Sequence, residues 1–192
     1  MKIYTRAGDT GTTGLLFGGR VPKTAPEIQA NGDVDEAQAA LGVARAAARS
    51  VDGVDTDLDR LLVEVERDLY VLMAEVATAV DNRQKLVAGR SLVTEEMVGA
   101  LEAHIDRLSA EFPPLRDFTI PGHDPVSAAL DVARTVVRRA ERSIQGLGLD
   151  ASHAPAYLNR LSDLVWTMAR WREHGEVLRA RDLAAPPSTG AR

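Results

Sequence analysis

The chain contains no cysteine. Disulfides, thiolate zinc sites, iron–sulfur clusters and cysteine nucleophiles are therefore excluded. Aromatic residues make up only 4% of the 192 residues, so leucine, valine, isoleucine and alanine must fill the core. The abundant alanine implies close helix–helix contacts. A basic excess is missing too. The net charge of −5 argues against a general nucleic-acid binder, although it leaves room for a local basic pocket. No apolar run reaches the roughly 18 residues of a transmembrane helix. The opening "MKIYTRAGDTG" lacks the apolar stretch of a signal peptide. A cytoplasmic protein with no membrane attachment is expected. His104, His123, His153 and His174 are scattered, and no Glu-x-x-His pair occurs, which sets aside a ferritin-like di-iron bundle.

What is present divides at about residue 32. Residues 1–32 hold Gly8, Gly11, Gly14, Gly18, Gly19 and Gly32 with Pro22 and Pro26, and read as loop. The alanine-rich "DEAQAALGVARAAARS" predicts a first helix from Val34 to about Arg49. Leu58, Leu61, Leu62, Val65, Leu69, Leu72, Met73 and Val76 recur at three- and four-residue steps, which is an amphipathic second helix. Thr94 before Glu95 and Glu96 opens a third helix, with a capping hydroxyl and acids in the first turn. "EFPPLRDFTIPGHDP" breaks the pattern, and Asp124-Pro125 starts a fourth helix that runs to about Gly146. A fifth is expected over Ala156 to Arg181. "FTI" and "KIYT" read as short extended pieces. Five helices with mostly short connections predict an all-α, antiparallel bundle.

Four groups of residues could carry chemistry. The glycine- and threonine-rich strap offers backbone N–H groups, hydroxyls and the cations Arg6, Arg20 and Lys23, a set that suits a polyphosphate. It is no P-loop. Gly14 and Gly19 have the G-x-x-x-x-G spacing, but Arg20-Val21 follow instead of Lys-Ser/Thr. A flexible tail has the same composition. In "ARTVVRRAERS", Arg134, Arg138 and Arg142 fall on one helical stripe with Glu141 beside them, and Arg139 points elsewhere. Such a stripe is either a solvated face or an anion site, and the forked guanidinium favours phosphate. Asn159 and Asp163 share a face of the fifth helix, solvated or holding a sugar, an adenine or a magnesium–water shell. Asp33, Asp35 and Glu36 suit a helix start, and one of them could pair with an arginine of the fourth helix.

"IYTRAGDTGTTGL", "GGRVPK", "GDVDEAQAALG", "FTIPGHDPVSAAL", "ARTVVRRAERS" and "YLNRLSDLVWTMAR" resemble, in order and spacing over about residues 3–172, the signatures of PduO-type ATP:cob(I)alamin adenosyltransferases. The resemblance implies a homotrimer of five-helix bundles with active sites between subunits. It implies transfer of the 5′-deoxyadenosyl group of ATP to cob(I)alamin, with magnesium accompanying ATP. A cobalamin reductase and an adenosylcobalamin-dependent enzyme would be its partners.

By the same resemblance, Thr5, Arg6, Gly8, Asp9, Gly11 and Thr12 form the ATP loop and Lys23 contacts phosphate. Arg138 and Arg142 surround ATP, with Glu141 and Asn159 near the nucleoside. Asp35 and Arg134 bridge two subunits and organise the cobalamin side, where Asp163 also belongs. Phe118 closes the lower face of the corrin, displacing its lower ligand. One domain is then expected over 1–182, with a nucleotide-binding strap, 1–32, and a bundle, 33–182, followed by a disordered tail, 183–192. Three positions depart from the family pattern: His123 follows Pro121-Gly122 where a second glycine is usual, Asn31 stands for a tyrosine, and Trp166 for a phenylalanine. The other reading is a nucleotide- or corrinoid-binding carrier without turnover, which the intact strap and arginine stripe disfavour.

Overall fold

The computed structural model describes residues 2–50, 56–115, 117–149 and 151–180; the expected tail, 183–192, lies outside them. The chain forms β1 (Thr12–Gly14), β2 (Arg20–Pro22), α1 (Pro26–Ser50), α2 (Thr56–Val76), a 3-10 helix (Val80–Lys85), α3 (Glu95–Ser109), α4 (Pro125–Gln145) and α5 (Ala154–Arg172).

The termini follow from local chemistry. Thr94 accepts from the Met97 N–H at 3.4 Å and starts α3. Asp124 accepts from the Val126 and Ser127 N–H groups at 2.7 and 3.2 Å, Ser127 returns the bond to the Asp124 N–H, and Pro125 occupies the first turn of α4.

α1 corrects the expectation of loop through residue 32: it begins at Pro26 and passes through Gly32. Ala30, Val34, Ala37, Leu41, Ala44 and Ala48 form one fully buried stripe. Burying that stripe outweighs the roughly 1 kcal/mol that a glycine costs within a helix. The small side chains let α1 lie close against Val126, Leu130, Ala133, Val137, Ala140 and Ile144 of α4. α5 is shorter than expected. After Arg172 the chain turns through His174 and Gly175, both at positive φ, and Leu178 to Ala180 run antiparallel to Phe118–Ile120.

Side-chain ties give the helix directions. Arg45 meets Asp59, His104 meets Glu64, and Asn159 meets Glu141, so consecutive helices alternate. Glu102 meets Arg160 and Glu111 meets Trp171, so α3 runs parallel to α5. The starts of α1, α3 and α5 therefore share one end of the bundle, and the ends of α2 and α4 join them there. The start of α4 and the end of α5 lie at the other.

Among the described residues no helix is long and apolar enough to cross a membrane.

Candidate functional site

The strap is not simple loop. β1 and β2 pair antiparallel, with Thr12 opposite Pro22, Thr13 opposite Val21 and Gly14 opposite Arg20. Gly18 and Gly19, at φ +101° and +94°, take the backbone of the turn that few other residues adopt. The tip is seated on the bundle. The Leu16 N–H donates to the Ala77 carbonyl at 2.8 Å, just beyond α2.

Ahead of the hairpin, two tight turns fold the segment back on itself: the Asp9 N–H donates to the Arg6 carbonyl and the Gly11 N–H to the Gly8 carbonyl, each at 3.2 Å. Arg20 is spent on this fold. Its guanidinium donates to the Ala7 carbonyl at 2.7 Å and to the Thr12 hydroxyl at 2.8 Å. Lys23 is different. It makes no ion pair among the described residues and crosses directly over Gly8, where an added Cβ would stand 3.1 Å from Nζ. A side chain at Gly8 would displace only the flexible end of that lysine. Thr5, Arg6, Gly8, Asp9, Gly11, Thr12 and Lys23 are each exposed or half-buried. Sequence reasoning could not separate the clamping Arg20 from the open Lys23.

The arginine stripe is equally uneven. Arg134 lies 3.5 Å from the buried Asp131. Arg142 turns back and donates to the Arg138 carbonyl at 2.9 Å. Arg138 is exposed and makes no ion pair among the described residues. Arg139 leaves the stripe, as its position predicts, and pairs with Glu36 and Asp33 of α1. The hydrogen bond it donates to Glu36 first, then attraction by both carboxylates, holds its pKa above the ordinary arginine value despite desolvation. Asp33 also accepts from Ser143 and from Gln29, which locks the start of α1 to the end of α4.

Glu141 and Asn159 do come together. The Asn159 amide donates to Glu141 at 3.0 Å across α4 and α5, beside a cleft of about 490 Å³ that Gln145, Ser152 and Pro155 also line. At the opposite end, Phe118, Thr119, Asp131, Arg134, Trp166 and Arg170 line a second cleft of about 480 Å³. The Phe118 ring is 89% exposed over it.

Two assigned residues and one departure from the family pattern stand apart. Asp163 faces a groove between α3 and α5 with Glu102 and Asp106, and only Trp166 is common to that groove and the Phe118 cleft. His123 is exposed and does not line the cleft. Asp35 lies on the outer α1–α2 face beside Gln38, Arg67 and Tyr70, away from Arg134. Among the described residues no hydrogen bond or ion pair joins the strap to Arg138 or Arg142.

Sequence reasoning missed Arg170, which is 1% exposed with Asp131, Glu173 and Thr119 around its guanidinium. Its only signal was a basic residue in the last turn of an apolar helix.

Residues 3–172 match the family model of cobalamin adenosyltransferases, which covers the strap, the stripe and both clefts. The chain belongs to this family. Among the adenosyltransferases similar to it, the corrinoid adenosyltransferase of Mycobacterium bovis is 40% identical over 190 residues, covering 91% of this chain and 95% of that protein. The corrinoid adenosyltransferase PduO of Citrobacter freundii is 39% identical over 177 residues. That match covers 91% of this chain but 50% of the relative, so the chain spans about half the length of the latter. A variant PduO-type ATP:corrinoid adenosyltransferase from Lactobacillus reuteri, complexed with cobalamin and ATP, superposes with a TM-score of 0.79 at 28% identity. The superposition covers 93% of this chain and 97% of that one.

Proposed function

We propose that this chain transfers the 5′-deoxyadenosyl group of ATP to cob(I)alamin, giving adenosylcobalamin and triphosphate. One observation carries the reading: a single family match runs unbroken through the strap, the arginine stripe and the Phe118 cleft. In the reaction the cobalt(I) electron pair attacks C5′, the C5′–O bond breaks, and the triphosphate leaves with the bonding electrons. The nucleophile is the corrin's own cobalt, so the protein needs no general base. Its work is to aim C5′ at cobalt and to neutralise charge that grows on the leaving group. Lys23, Arg6, Arg138 and Arg142 do the second. Thr5, Gly8, Asp9, Gly11 and Thr12 shape the strap around the triphosphate, and Glu141 with Asn159 receives the nucleoside.

The strap and Arg138 are not joined within one chain, and Asp35 and Arg134 lie on separate faces. Both facts support a homotrimer in which one subunit's strap meets the next subunit's stripe and Asp35 pairs with Arg134 across the boundary. Among the described residues no three His, Cys, Asp or Glu side chains gather as a metal site. Magnesium would enter with ATP, held mainly by the phosphates and water.

The decisive assay mixes the protein with magnesium, ATP and chemically reduced cobalamin under anaerobic conditions. Adenosylcobalamin should form, and its absence would return the chain to the carrier reading. Two further results are expected. In Phe118→Ala, loss of the phenyl contact should lower kcat/KM for cob(I)alamin by roughly ten- to hundred-fold, with the Kd for ATP held within about two-fold. Isothermal titration and steady-state rates check this, and loss of ATP binding would contradict the placement of Phe118. In the strap, amide hydrogen exchange over residues 5–12 should slow when ATP is added; equal protection with and without ATP would contradict its role.

A further inference from the structure

We infer that Arg170 is a positioning residue for the corrin side of the site, acting through the hydroxyl of Thr119. The inference rests on the adenosyltransferase reading above and adds to it residues that touch neither reacting atom.

Phe118 cannot hold itself in place. Its ring is 89% exposed, so its direction is set by its neighbours in the chain. Backbone pairing supplies one restraint: the Phe118 carbonyl accepts from Ala180 at 2.9 Å, and the Ile120 N–H donates to Leu178 at 2.8 Å. Those bonds pair the two segments with each other. Arg170 supplies a buried tie from them to the bundle. One arm of its guanidinium donates to Thr119 Oγ1 at 2.5 Å. The other donates to Asp131 of α4 at 2.7 Å and to Glu173 at 3.0 Å. Loop, α4 and α5 thus meet at one cation that is 1% exposed.

A buried charge with charged partners cannot be replaced by solvent, so this tie is stiff. Asp131 also stands 3.5 Å from Arg134, and both line the cleft. The same cation therefore sets where Phe118 and Arg134 face each other. Only arginine's fork reaches all three partners at once; a lysine ammonium has one donor centre.

Thr119→Val tests the tie with the least disturbance, because it removes the hydroxyl and leaves Arg170, Asp131 and Glu173 paired. Losing one charge-assisted bond from the binding geometry should raise the KM for cob(I)alamin about ten-fold while the KM for ATP stays within about two-fold. The Kd for cob(II)alamin, followed by its visible spectrum with ATP present, should rise in parallel. Thr119→Ser keeps the hydroxyl and should restore both values toward the native ones. Arg170→Lys should show the same split between substrates. Native cobalamin binding in Thr119→Val would overturn the inference, as would equal weakening toward ATP and cobalamin, or failure of the serine to rescue. Should the native protein bind cobalamin without adenosylating it, the adenosyltransferase reading fails. The cob(II)alamin titration still decides the role of Arg170.

Discussion

Arg138→Ala should lower the single-turnover rate of adenosylcobalamin formation by about a hundred- to thousand-fold, the usual effect of removing one charge-stabilising donor from a reaction. Three arginines share the stripe, yet they are not equivalent. Arg134 lies against Asp131, and Arg142 reaches back to a backbone carbonyl of its own helix. Arg138 is exposed, without an ion pair among the described residues, and so its whole charge is available to an incoming anion. The same exposure predicts that the fold is indifferent to its loss. Surface substitutions of this kind change stability by no more than about 0.5 kcal/mol. The melting temperature and the oligomeric mass of Arg138→Ala should therefore match the native protein while turnover collapses. Arg142→Ala should cost less, because its guanidinium is already engaged. Native rates in Arg138→Ala would show that the stripe does not meet the triphosphate. A falling melting temperature would show that Arg138 is structural.

The helices were legible because their signals are local. Thr94 and Asp124-Pro125 mark starts through bonds to N–H groups two or three residues away, and the leucine spacing of α2 reports its buried face directly. What escaped the sequence depends on partners far along the chain. α1 starts at Pro26 because Ala30 and Val34 find α4, although Gly32 argues for loop. α5 stops at Arg172 because Leu178 to Ala180 must reach Phe118–Ile120. Gly175 permits that reversal, and an added Cβ there would stand 2.9 Å from Pro113. β1 and β2 have three residues each, too few to show an alternating pattern. The site divides in the same way. The resemblance named Lys23, Phe118 and Glu141 with Asn159, and the structure brings the last pair together. Arg170 stayed hidden because two of its partners, Asp131 and Thr119, lie 39 and 51 residues away in the chain. Asp35 and Arg134 are not joined within the chain, so their pairing rests on the proposed trimer.

Glu75→Ala should destabilise the fold by about 3–5 kcal/mol, as expected when one partner of a buried, hydrogen-bonded charge is removed. Glu75 is fully buried in the last turn of α2. One carboxylate oxygen accepts from Arg83 and from the Ser152 hydroxyl, both at 2.6 Å, and the other accepts from the Val93 N–H at 2.9 Å. These bonds draw together the 3-10 helix, the residue before the Thr94 cap and the loop that starts α5, where Ser152 in turn accepts from the Ala154 N–H. Alanine would strand a buried N–H and a half-buried hydroxyl. Arg83 keeps about a quarter of its side chain in water and recovers part of its loss, which places the effect toward the lower bound. For a chain of this length the melting temperature should fall by roughly 6–15 °C. Glu75→Gln keeps the shape and one acceptor, and should lose less than half as much. The strap adds a functional consequence. Leu16 is seated on Ala77, two residues beyond Glu75, so loosening this end of α2 loosens the hairpin. Below its lowered melting temperature, Glu75→Ala should raise the KM for ATP more than the KM for cob(I)alamin, the opposite split from Thr119→Val. Calorimetry and steady-state rates check both parts. A melting temperature within about 2 °C of native would mean that water replaces the carboxylate. An unchanged KM for ATP would mean that the hairpin keeps its place without α2.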